Sequence, residues 1–111
     1  MKTENYINAQ RAEAIKTADE IIAGKVGIIA GSRIMSRLRF EIGISDDDED
    51  FLTFVAIDSE SDELPTGQER ELWSPEALKE KDKEIQRCEE LYRQNAIEAC
   101  EGIIRKWRGD V

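Results

Sequence analysis

The sequence predicts a mostly α-helical fold, a bundle of about three main helices with a short extended or β segment and an acidic loop. The 111 residues, 40% of them hydrophobic, suit one domain with a modest core. Apolar residues recur with a helical period towards both ends of the chain, while acidic residues gather between them. We therefore expect residues 1–111 to form a single helical domain, with an acidic extended segment, residues 44–73, inserted between helices.

The first predicted helix covers about residues 4–23. Thr3 is a suitable N-cap because its hydroxyl can accept a hydrogen bond from the first turn. Gly24 is well placed to end the helix. Apolar residues follow the 3.6-residue period and form one stripe: Ile7, Ala14, Ile15, Ala18, Ile21 and Ile22.

The second predicted helix covers about residues 26–42, with Gly43 as its C-terminal stop. One face would gather Gly27, Ile28, Gly31, Ile34, Met35, Leu38 and Ile42. The two glycines cost helix propensity but allow another backbone to come close. Residues 25–31, KVGIIAG, also fit a buried strand, since short apolar runs do not distinguish the two structures.

The central segment has a different character. Residues 51–57, FLTFVAI, are rich in β-branched and aromatic types, which favours a short strand or a buried extended segment. The following residues contain Pro65 and Gly67 and are expected to turn.

The last predicted helix runs from Pro75 to about Lys106. Ser74 is a good N-cap, Pro75 suits the first helical position, and Glu76 adds an acid to the first turn. The last turn is basic, as the helix dipole favours. The apolar stripe contains Leu78, Ile85, Cys88, Tyr92, Ala96, Ala99, Ile103 and Trp107, with Leu91 and Ile104 beside it.

The length of this helix has a consequence for assembly. It would measure about 48 Å at 1.5 Å per residue, whereas a domain of this size has a radius of gyration of about 13 Å. The helix must therefore break, for which Arg93–Asn95 is the candidate, project into solvent, or pack against a second copy. We favour a homodimer formed through the stripe from Tyr92 to Trp107, where Ala96 and Ala99 permit close approach.

The net charge of −9 is concentrated in one segment. Residues 44–72 contain eleven acidic residues and one basic residue, so the rest of the chain carries +1. Such a patch can steer a basic protein partner, although a solvated loop would have the same composition. The charge argues against direct nucleic-acid binding.

Several kinds of chemistry are disfavoured. The chain has no histidine, which excludes Ser-His-Asp and Cys-His catalysis and most zinc sites. Cys88 and Cys100 would lie about 18 Å apart along one helix, too far to form a disulfide. Four acids have the spacing of an EF-hand loop, but Glu63 replaces its glycine and Pro65 its hydrophobic residue. These four are Asp58, Glu60, Asp62 and Glu69. We expect no metal site and no cofactor.

The candidate binding residues lie on the second helix and in the acidic segment. Arg33, Arg37 and Arg39 precede the acids, and the simplest expectation is that they pair with carboxylates and hold the segment to the helix. The alternative is a polar pocket for a small ion. The candidate residues for it are Ser36, Arg39, Asp58, Glu60 and Asp62.

The string FVAIDSESDELPTG, with the upstream AGSRIMSRLR, resembles the signature of a small family of bacterial proteins. The resemblance covers about two-thirds of the chain. It implies a bacterial source, and it implies no particular fold or activity.

Three functions are consistent with these features. The first is a protein-binding module whose acidic segment neutralises a basic partner, such as a toxin or a nucleic-acid enzyme. The second is a small metal- or carboxylate-dependent enzyme in which Arg39 positions an anionic substrate. The third is a purely structural homodimer.

No apolar run approaches the roughly 18 residues of a membrane span, and MKTENYINAQ lacks the features of a signal peptide. The sequence therefore predicts a cytoplasmic protein without membrane contact.

Overall fold

The computed structural model describes residues 2–108, and over these residues the protein is all α, with 77% helix and no strand. Met1 and residues 109–111 of the predicted domain lie outside the described residues. The main elements are α1 (Glu4–Ile22), α2 (Ile28–Leu38), α3 (Glu49–Glu60) and α4 (Pro75–Arg108), with a short 3-10 helix (Gly67–Leu72) before α4. The helical prediction is confirmed, with four main helices in place of about three.

The first helix is formed as the sequence predicts. The Thr3 side chain caps α1 by accepting a hydrogen bond from the backbone N–H of Tyr6 at 3.1 Å. The chain leaves the helix through Gly24, whose φ of +76° lies in the left-handed region that glycine favours. The buried face of α1 contains Ala14, Thr17, Ala18 and Ile21.

The second helix is shorter than predicted. Gly27 occupies the N-cap of α2, and the chain turns after Leu38 until Gly43, where φ is +66°. The alternative strand for residues 25–31 is wrong, because Ile28 already begins the helix. The expected close approach occurs at Gly31, where an added Cβ would lie 2.6 Å from Cγ1 of Ile21 in α1.

The extended segment predicted for residues 51–57 is wrong, because these residues form most of α3. The Asp48 side chain caps α3 by accepting from the N–H groups of Asp50 and Phe51, at 3.1 and 3.2 Å. Phe51, Phe54 and Ile57 are all buried. Their three-residue spacing suits the inner face of a helix, so capping and packing outweigh the β propensity of this run.

The long helix α4 is continuous, so the alternative of a break at Arg93–Asn95 is wrong. Ser74 caps it, with Oγ accepting from the N–H of Ala77 at 3.1 Å. The described chain measures 46 × 30 × 24 Å, and its longest dimension is close to the length predicted for this helix.

The two halves of α4 have different neighbours. The C-terminal half packs in the core with α1 and α3, and it buries Ala96, Ala99, Cys100 and Ile103 within a single chain. Ala96, Ala99 and Ile103 belong to the stripe through which the homodimer was predicted. The dimer stays a prediction, and it would need a different surface.

The N-terminal half of α4 is held by polar contacts. Arg70 of the 3-10 helix forms a bidentate ion pair with Asp82, at 2.8 and 3.1 Å. The Glu89 carboxylate accepts from the backbone N–H of Ile29 at 3.0 Å, and so caps α2 from another helix. Gly27 leaves room for this carboxylate, because an added Cβ would lie 2.8 Å from it.

None of the helices within residues 2–108, including the 34-residue α4, combines the length and apolar character needed to span a membrane.

Candidate functional site

An open groove lies between the first turns of α3 and the C-terminal half of α4. It encloses about 500 Å³. Four carboxylates and one guanidinium line it, together with small and neutral polar side chains. The lining residues are Glu49, Asp50, Thr53, Asn95, Glu98, Ala99, Glu101 and Arg105. We call this the acidic groove.

Asp48 fixes the start of α3 beside the groove. Its carboxylate caps the helix and also forms an ion pair with Lys106 of α4. Burial alone would raise the pKa of Asp48. The hydrogen bond from Lys106, the N–H groups of Phe51 and Asp50, and the Lys106 charge outweigh burial and lower the pKa below its ordinary 3.8.

Asp50 has the opposite electrostatic character. Burial raises its pKa above 3.8, and the negative charge of Asp48 raises it further, against smaller effects of Lys106 and Arg105. Its carboxylate lies against Gly102 of α4, where an added Cβ would be 2.8 Å from Oδ1. The only glycine in α4 therefore leaves room for a carboxylate at the floor of the groove.

Asp48 leads to a pH-dependent prediction. At neutral pH, Asp48→Ala is expected to lower the free energy of unfolding by about 1–2 kcal/mol, because it removes the cap of α3. The folded-state pKa of Asp48 is lowered, so its carboxylate stabilises the fold above the unfolded-state pKa. This contribution is lost as the pH falls through the folded-state value.

Urea denaturation at neutral pH and at about pH 3 measures the effect. The difference between wild type and Asp48→Ala should shrink at the lower pH. Asp48→Asn is the control, since asparagine still caps the helix and only the charge pair with Lys106 is lost. A constant difference at both pH values would contradict a role for the ionised carboxylate.

Most carboxylates of the acidic segment lack an ion pair within residues 2–108. Asp48 pairs with Lys106, while Asp58 and Glu69 pair with Arg33. The other eight are exposed, except Asp50, which is half-buried. They are Asp46, Asp47, Glu49, Asp50, Glu60, Asp62, Glu63 and Glu71.

The predicted arginine pairing is confirmed at Arg33. Its Nε lies 3.8 Å from Oδ1 of Asp58. Arg39 follows the end of α2, where it donates a 3.4 Å hydrogen bond to the carbonyl of Asp46 and lies over the ring of Phe40. Asp58 is therefore held by Arg33, whereas Arg39 contacts the loop that precedes α3.

The other candidate residues are spread over the surface of α2 and the end of α3. The Ser36 hydroxyl on α2 is buried and has no hydrogen-bond partner among the described residues. Glu60 is the last residue of α3 and is exposed, and Asp62 is exposed in the following turn. Within residues 2–108, no hydrogen bond or ion pair joins Ser36 or Arg39 to Asp58, Glu60 or Asp62.

The four residues with EF-hand spacing do not form a loop, because Asp58 and Glu60 belong to α3. Over residues 2–108, no group of three or more His, Cys, Asp or Glu residues is arranged to hold a metal ion.

Cys88 and Cys100 are free thiols. Burial raises the pKa of Cys100 to about 12, so its thiol stays protonated and unreactive at neutral pH.

The α4 side of the acidic groove was not predicted from the sequence. Glu98 and Glu101 are three residues apart in a predicted helix, which places them on adjacent positions of its surface. Their significance depends on α3 lying opposite with Glu49 and Asp50 in its first turn.

No protein-family model, no curated protein and no solved structure matches the chain.

Proposed function

We propose that this protein is a protein-binding module whose acidic groove receives a basic segment of a partner protein. The observation that carries the proposal is the surplus of carboxylates that form no ion pair with another residue of the range 2–108. Eight of them lie in the segment after α2, and those in the first turn of α3 adjoin Glu98 and Glu101 of α4.

The four carboxylates that line the groove outnumber its one cationic side chain, Arg105, and this favours a lysine or arginine side chain of a partner. Thr53 and Asn95 offer neutral hydrogen-bonding groups, and Ala99 leaves space between the two helices. Concave acidic surfaces concentrate field lines, which accelerates association with a cationic partner. The strong negative charge of the segment also disfavours acidic partners and nucleic acids.

The experiment uses a fluorescein-labelled lysine-rich peptide as the probe. Fluorescence anisotropy measures its affinity for the protein over a series of NaCl concentrations. We expect binding that weakens steeply with salt. The double variant Glu98→Gln/Glu101→Gln should bind the peptide about tenfold more weakly or worse, since it removes two charges from the groove.

The matched control is Glu76→Gln/Glu90→Gln. Both residues lie on the exposed N-terminal half of α4, and the change in net charge is the same. The control should keep the wild-type affinity to within about twofold. Equal weakening by the two double variants would show attraction by net charge alone, and the proposal would then be wrong.

A further inference from the structure

A second cleft lies between α1 and the stretch from the last turn of α2 to Glu41, away from the acidic groove. Two adjoining cavities of about 620 and 430 Å³ form it, and both are lined by Tyr6 and Glu41. A ligand site of a few hundred Å³ is typical for small molecules. The remaining lining residues are Lys2, Thr3, Ala9, Gln10, Glu13, Arg37 and Leu38.

Glu41 is the unusual group in this cleft. Its Oε2 atom is buried, and the cation that neutralises it within residues 2–108 is the Lys2 ammonium at 3.1 Å. A buried carboxylate oxygen is costly without such a partner, so the position beside Glu41 requires a cationic group.

The Lys2 side chain shows which chemical group fits beside Glu41. Besides its ion pair with Oε2, the ammonium donates a hydrogen bond to the backbone carbonyl of Phe40 at 3.0 Å. The Phe40 carbonyl and the Glu41 carboxylate together form a position for an ammonium group. In this structure Lys2, from the start of the chain, supplies that group.

Arg37 provides the complementary charge on the same cleft. It is exposed and lies in the last turn of α2. It forms no ion pair with Glu41, Glu13 or any other acid of residues 2–108, although both these acids line the cleft with it. Its guanidinium is therefore available for an anion.

We propose that this cleft binds a small zwitterion, namely a free amino acid. The ligand ammonium takes the place of Lys2 at Glu41 and the Phe40 carbonyl, and the ligand carboxylate pairs with Arg37. Tyr6, Ala9 and Leu38 offer an apolar surface for the side chain of the ligand. Lys2 is then an internal competitor, so its removal should strengthen binding.

NMR titration of the full chain tests this proposal with glycine, L-leucine, L-phenylalanine and L-lysine as probes. We expect at least one to bind with a Kd of about 1 mM or tighter and to shift the amide signals of Tyr6, Gln10 and Leu38. Glu41→Gln and Arg37→Gln should each weaken binding about tenfold. Lys2→Ala should strengthen it, an effect that a purely structural anchor would not produce.

The controls separate this cleft from the acidic groove. Glu98→Gln makes the same charge change as Glu41→Gln in the acidic groove and should leave amino-acid binding unchanged. The single-charge probes n-butylamine and butyrate should bind about tenfold more weakly than the best amino acid. Equal binding of n-butylamine, unchanged affinity in Arg37→Gln or Glu41→Gln, or no binding at about 10 mM would each overturn the proposal.

Discussion

Replacing Phe54 with alanine is expected to lower the free energy of unfolding by about 3–5 kcal/mol, the usual cost of truncating a buried phenylalanine. The Phe54 ring is fully buried, and it lies edge-on to Phe51 with ring centroids 6.4 Å apart. Leu52→Ala, on the same helix, should cost about 1 kcal/mol or less because Leu52 is 40% exposed.

The comparison of these two variants distinguishes a helix from a strand. In a strand, Leu52 and Phe54 would lie on the same face, and both would be buried or both exposed. In α3 they lie on different faces. Urea denaturation followed by circular dichroism measures both variants. Similar losses of stability for Leu52→Ala and Phe54→Ala would favour the strand.

The sequence predicted α1 and α4 well because several local signals agree there. Thr3 and Ser74 both cap their helices, and the apolar stripes behind them follow the helical period. Each signal acts within a few residues of the chain. Agreement among local signals is a dependable guide to secondary structure.

The error at α3 has a physical explanation. The run FLTFVAI has high β propensity, but Phe51, Phe54 and Ile57 also have the spacing of a helix face. In a run of seven residues, the two-residue period of a strand and the 3.6-residue period of a helix are hard to distinguish. The deciding signal was Asp48, which caps the helix and is followed by Glu49 and Asp50 in its first turn. Because Asp48 lies within the acidic run SDDDED, the sequence pattern suggests a solvated charge cluster and hides the helix cap.

The candidate sites were predicted only in part, because they depend on contacts between distant residues. Glu98 and Glu101 meet α3 across the acidic groove only after both helices have packed. The predicted ion pairing with the acidic segment is confirmed for Arg33, whereas Arg37 and Arg39 form no ion pair within residues 2–108. The acceptors that hold Arg33 include backbone carbonyls, which every residue has and which no sequence pattern reveals.

Arg33→Ala is expected to lower the free energy of unfolding by about 2–3 kcal/mol. Its guanidinium donates to the carbonyls of Ser61 and Leu64, each at 2.7 Å. It also donates to Thr66 Oγ1 at 2.7 Å and to Glu69 Oε1 at 2.9 Å. One side chain therefore ties α2 to the whole turn between α3 and the 3-10 helix. Its loss leaves buried acceptors such as the Leu64 carbonyl without a donor.

Arg37→Ala is the matched control, since Arg37 lies one turn further along α2 and forms no ion pair within residues 2–108. It should change the unfolding free energy by about 0.5 kcal/mol or less. Arg33→Lys should restore only part of the lost stability, because an ammonium cannot reproduce the planar arrangement of guanidinium donors. Chemical denaturation compares the three variants directly. Equal stabilities for Arg33→Ala and Arg37→Ala would mean that the turn holds its position without Arg33.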